Sequence, residues 1–183
     1  MEINMIFGDP YRFAIWAEPV LQWSNSYKNG LFYLIINGRM YPDDIRTSTL
    51  SSDLIEITGD DCALVSKPVN KEIFALPTLD AFNCLLNLAY PEPSELDEYP
   101  DQVFDFCITS PNVSDFGGCF FCVADEKNIR VIGGKTEKLV RDKDNTRNVW
   151  QKIEKPVIED VIIPKDEIEE IISAARNYSM NIT

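Results

Sequence analysis

Hydrophobic and polar positions alternate first near the start of the chain. Tyr11, Phe13 and Ile15 fall on one face of a period-two run and Arg12, Ala14 and Trp16 on the other. That spacing predicts a strand over Tyr11–Ala17 with Phe13 and Ile15 toward the core. Gly8-Asp9-Pro10 precedes it and reads as the turn that launches it, since Pro10 lacks the N–H that a central strand position uses. Turn residues from Ser24 to Gly30 lead into the wholly apolar run Leu31–Ile36. Asn37-Gly38 follows, a pair that tolerates positive φ and signals a hairpin, and Arg39-Met40-Tyr41 returns until Pro42.

Beyond this meander the pattern mixes periods. Residues 47–57 fit either a short helix or a strand. Thr78 to Ala89 carries Leu79, Phe82, Leu85, Leu86 and Ala89 at helical spacing, and Pro91 and Pro93 stop it. Strands are predicted at Val103–Thr109, at Cys119–Ala124 with Ile129–Ile132 as a hairpin through Asp125–Asn128, and at Val157–Ile163. Residues 135–148 are highly charged, either an exposed loop or a polar strand pair. Pro164-Lys165-Asp166-Glu167 suits a helix start, and Ile168, Ile171, Ile172 and Ala175 form its apolar stripe. The sum is an α+β fold, a mainly antiparallel twisted sheet built from hairpins with two or three helices packed on it, as one domain over residues 1–183.

Composition supports a packed core: 45% of residues are hydrophobic, with 10 Phe, 7 Tyr and 3 Trp. Charge narrows the partners. Thirty acids against 17 bases leave −13, a field that repels nucleic acid and anionic lipid and attracts basic proteins. The plainer reading of the same charge is solubility. Five of those acids and no base fall in residues 91–101, P-E-P-S-E-L-D-E-Y-P-D. Met1-Glu2-Ile3-Asn4 lacks a signal-peptide pattern, no apolar run nears the roughly 20 residues of a membrane span, and five cysteines are an odd number, so reduced thiols in the cytoplasm are expected.

Catalytic chemistry finds little support. With no histidine, the Ser-His-Asp and Cys-His arrangements and His-ligated zinc are excluded. Cys119-Phe120-Phe121-Cys122 has C-x-x-C spacing, but positions i and i+3 of a strand face opposite ways, which favours buried structural thiols. Gly134-Lys135-Thr136 matches only the tail of a phosphate loop, because position 129 is Ile129. Asp43-Asp44 and Asp60-Asp61 could hold a divalent ion, although neither pair lies in a calcium-loop pattern. One alternative is therefore a carboxylate- or metal-dependent enzyme using Asp43 and Asp44 with Asp9. Another is an acidic scaffold subunit.

Three stretches taken together, I-F-G-D-P-Y-R-F-A-I, K-N-G-L-F-Y-L-I-I-N-G-R-M-Y-P and V-I-I-P-K-D-E-I-E-E-I-I, resemble bacterial immunity protein family 42. The likeness is densest in residues 5–50 and rests on strands and turns, with no catalytic group. It implies a cytosolic protein without enzyme activity, cofactor or metal, which binds and neutralises a polymorphic or contact-delivered toxin domain encoded by the adjacent gene. An acidic inhibitor fits a nuclease toxin, whose groove must be basic to hold phosphate. On electrostatics, the candidate toxin-binding residues are Glu92, Glu95, Asp97, Glu98 and Asp101, with Asp43 and Asp44 second.

Overall fold

The computed structural model describes residues 5–24 and 26–182. The readings made on Met1–Asn4, and on Asn25 within the Ser24–Gly30 turn, lie outside the described residues. The architecture is α+β with antiparallel sheets.

The chain begins pairing earlier than its alternation suggests. Ile6–Asp9 is itself a strand, β1, and forms a hairpin with β2, Phe13–Pro19. The turn lies at Asp9–Arg12, where Arg12 N donates to Asp9 O at 2.9 Å and Tyr11 N to the Asp9 carboxylate at 2.9 Å. Tyr11, expected on the core face, is 83% exposed because it sits in that turn. Gly8 has a φ of +105°, and a Cβ there would stand 2.5 Å from Phe13 O, so only glycine lets β1 lie this close. β2 pairs with β3, Asn29–Ile36, which turns through Asn37 and Gly38, both at positive φ, into β4, Arg39–Tyr41.

The ambiguous run at 47–57 divides. Ser48–Thr49 (β5) adds to the start of β3, and Leu50–Thr58 is a helix, α1, that buries Leu50, Leu54 and Ile57 at helical intervals. Short helices follow at Ala63–Ser66 (α2) and Lys71–Ala75 (α3), then the expected Thr78–Ala89 (α4) and a single turn at Pro111–Ser114 (α5). α4 buries Phe82, Leu85 and Ala89 as its stripe requires, but Leu79 is 59% exposed at the first turn.

A second sheet has the order β10-β7-β6, from Glu159–Pro164, Asn128–Lys135 and Gly118–Ala124. The strand expected at Val103–Thr109 does not form. Cys107 N bonds back to Phe104 O at 2.8 Å, and this turn leaves only a bridge from Cys107 to Phe121. The segment still covers the edge of β6, through Ile108 N to Phe120 O and Cys122 N to Phe106 O. Val157, expected to open the last strand, lies before β10 and is half-exposed.

The main core joins the two sheets. Phe13, Ile15, Phe32, Leu34 and Ile36 meet Phe120, Cys122, Val131 and Ile163, and α1 and the final helix α6, Lys165–Ile182, close it. Ile168, Ile171, Ile172 and Ala175 are the buried stripe of α6. The other face of the second sheet, with Phe121, Val123 and Ile132, packs on α3 and α4. Alternation along β6 therefore sends Cys119 and Cys122 to different clusters, as expected for strand positions three apart.

Two buried polar knots fix the layers. Asp53 accepts from Ser48 Oγ, from Ser110 Oγ at 2.6 Å and from Asn112 N at 2.9 Å, joining β5, α1 and α5. Arg130 on β7 bonds both oxygens of Asp160 on β10, at 2.9 and 2.5 Å, and donates to Phe74 O and Leu76 O at 2.8 and 2.7 Å. Standing apart from both sheets is a hairpin of β8, Glu137–Arg141, and β9, Asn148–Lys152. It is the strand pair left open at 135–148, and among the described residues neither strand has a second neighbour.

Candidate functional site

The base of the β8–β9 hairpin is seated by Gly117. Its carbonyl accepts from Thr136 N at 2.8 Å and Glu137 N at 3.1 Å. A Cβ on Gly117, whose φ is +85°, would meet Glu137 O at 2.5 Å and the Trp150 ring at 3.0 Å. Glycine thus lets Trp150 lie against the turn before β6, while Leu139 and Trp150, directly opposite in the ladder, both stay half-exposed.

Two grooves run along the chain that leaves this hairpin, and Ile153 and Pro156 line both. The first encloses about 520 Å³ between Tyr33, Met40, the loop at residues 42–45 and Val157. The second encloses about 650 Å³ between α4 and the hairpin base. Phe82, Leu86, Tyr90 and Cys119 make its apolar part, and Asn83, Asn87, Glu92, Glu137 and Lys152 its polar margin.

The candidate acids divide among these places. Asp43 and Asp44 line the first groove, but each has a cation. Lys135 Nζ is 2.6 Å from Asp43, and Arg46 bonds both oxygens of Asp44 at 2.9 Å. The Arg46 hydrogen bonds hold the Asp44 carboxyl below the usual carboxylate range, against a smaller opposing effect of burial. Burial, with Asp44 nearby, pushes the Tyr33 phenol up. Asp9 lines neither groove and stays bonded in its own turn, so it is not brought to Asp43 and Asp44. Among the described residues no three acidic or cysteine side chains are grouped to hold a metal ion.

Glu92 lines the second groove and faces Lys152 Nζ at 3.3 Å, with both side chains more than 80% exposed. The other four acids, Glu95, Asp97, Glu98 and Asp101, stand on an exposed loop with no cation at ion-pair distance among the described residues. That loop has a defined form. Val103 N bonds Leu88 O at 2.8 Å, and the Tyr90 and Phe104 rings meet edge-on at 5.9 Å, which ties its ends. At its tip Ser94 N donates to Asp97 O at 2.8 Å, and Leu96 is 100% exposed between acids.

The thiols are placed for packing. Burial pushes Cys107 up to about 11 and raises Cys119 and Cys122 as well, so these sulfurs stay protonated at neutral pH. Sequence reasoning did not single out Asn83, Asn87, Glu137, Lys152 or the hairpin. The available signals were the one-turn spacing of the two asparagines opposite the α4 stripe, and a Trp in a run otherwise rich in charge.

A family model described as Immunity protein 42 matches residues 5–178. A search of curated proteins finds no match. Among solved structures, the chain is similar to CdiI from Burkholderia dolosa AUO158. The TM-score is 0.71 at 21% identity, and the alignment covers 95% of this chain and 99% of that one. At that identity the likeness is one of fold.

Proposed function

The chain belongs to the Immunity protein 42 family, and from that premise we propose that it is a cytoplasmic inhibitor that binds one cognate toxin domain and blocks it without chemistry of its own. The observation that carries this reading is the exposed acidic loop. Its conformation is held by its own hydrogen bonds, and Glu95, Asp97, Glu98 and Asp101 are left without intramolecular cations among the described residues. Solvated carboxylates held in one place speed the encounter with a basic surface and lose little internal bonding when they meet it. The toxin domain is a basic one, a nuclease whose phosphate-binding groove is occupied or shielded, and its gene lies beside this one. Contact-dependent delivery of that toxin fits the likeness in fold to CdiI.

The loop acids and Glu92 make the first contact, with Asp43 and Asp44 as secondary contacts that must first give up Lys135 and Arg46. Protection against a lethal domain calls for a nanomolar or tighter dissociation constant, on the order of −12 kcal/mol. Co-expression of the toxin domain from the adjacent gene with this chain tests the reading. Cells should survive and the two proteins should co-elute one to one. Killing that this chain does not relieve, with no complex on the column, would end the proposal.

A further inference from the structure

The two grooves share a wall but differ in charge. The first carries Asp43 and Asp44 with Arg39, Lys135 and Lys155, and both acids are already ion-paired. A basic partner reaches them only by displacing Lys135 and Arg46. The second carries Glu92 and Glu137 with only Lys152, and among the described residues no cation lies at ion-pair distance from Glu137. Its floor is apolar, through Phe82 and Leu86. Asn83 and Asn87 stand one turn apart on α4 along its margin, and neither side-chain amide has a partner among the described residues.

These parts match an extended peptide with one apolar anchor and flanking Lys or Arg. An asparagine amide both donates and accepts, so two of them at helical spacing can bond successive backbone groups of an extended chain. The floor takes the anchor, and Glu137 and Glu92 take the cations. The Glu92–Lys152 pair in the groove lining is an exposed contact of the weak class, so a basic side chain can take Lys152's place on Glu92.

We propose that the groove between α4 and the β8–β9 hairpin binds an extended basic segment of the toxin domain, its backbone on Asn83 and Asn87 and its cations on Glu137 and Glu92. This rests on the toxin-binding function proposed above and places the anchoring contact within it.

The test measures binding of the full chain to the toxin domain encoded by the adjacent gene. Asn87→Trp fills the groove from an exposed helix position, and Asn83→Ala with Asn87→Ala removes the amides and leaves the volume. Ile55→Trp, on the exposed face of α1, is the control. The dissociation constant should rise about 100-fold for Asn87→Trp and about 10-fold for the double alanine variant, as for loss of a central anchor. Ile55→Trp should bind as wild type, and all variants should melt within about 2 °C of it. Hydrogen exchange in the wild-type complex should protect residues 83–90 and 148–153. Wild-type affinity in both groove variants, or protection that falls on residues 39–45 instead, overturns the groove assignment and leaves toxin binding standing. Absence of any complex with the wild-type chain overturns both.

Discussion

Arg130–Asp160, between β7 and β10, and Glu92–Lys152, between the loop after α4 and β9, are both ion pairs, yet their surroundings give them opposite roles. Arg130 is buried with four acceptor contacts, two on Asp160 and two on the carbonyls of Phe74 and Leu76. Its loss would leave a carboxylate and two carbonyls short of a partner in a low-dielectric place. Glu92 and Lys152 meet once, at 3.3 Å, in water that solvates either of them as well. The first pair holds the fold and the second can be exchanged. Residues meant for a partner are of the second kind, since a contact worth little inside the chain is cheaply replaced from outside.

The comparison breaks most visibly at Arg130. Arg130→Met should lower stability by about 3–5 kcal/mol, read from urea unfolding, and a loss below about 1 kcal/mol would mean that the knot does not hold the fold. Acid reports on the same pair. Burial alone would raise the Asp160 carboxyl, but hydrogen bonds from Arg130 and Thr78, with the Arg130 charge, outweigh it and hold the group below the usual range. Folded Asp160 therefore binds its proton less readily than in the unfolded chain. Its stabilisation is full above the ordinary carboxylate value near 4 and is lost as the pH falls through the lower folded value. Urea midpoints between pH 6 and pH 3 should fall more steeply for wild type than for Arg130→Met, and parallel curves would contradict the assignment.

Charge on the loop should act on association and leave the fold alone. Glu95→Lys, Asp97→Lys and Glu98→Lys together should slow toxin association about tenfold at low salt and flatten its salt dependence, with the melting temperature unchanged. Stopped-flow rates at two ionic strengths decide it, and an unaltered rate would move the contact off residues 91–101. The smallest effect belongs to Lys152→Ala, which should leave the urea midpoint where it is. A clear drop would mean that the hairpin is fastened by this pair.

Much of the framework can be read from local pattern. Asn37-Gly38 marks its hairpin because positive φ is a property of those two residues, and both adopt it. The α6 stripe at Ile168, Ile171, Ile172 and Ala175 is legible because every member lies within one helix. Tyr11 misleads because alternation carries no information about where pairing starts, and the Asp9–Arg12 turn takes it out of the ladder. Val103–Thr109 misleads because its apolar residues cover the edge of β6 without a regular ladder of their own. The acidic loop is legible as composition. Its tied ends and displayed Leu96 are not, since they depend on Leu88 and on the contact between Tyr90 and Phe104.

Local residue chemistry by itself determined the antiparallel α+β class, the separation of Cys119 from Cys122, and the resemblance in strands and turns that the family match bears out. Tertiary structure alone decided which acids are free. Asp43 and Glu95 look alike along the chain, and only folding sets Lys135 beside the first while leaving the second in water. It also decided that α4 and a hairpin some fifty residues further on enclose one groove. The physical reason is range. Backbone preference and side-chain period act over a few residues, whereas charge pairing and groove shape depend on which distant segments the core brings into contact.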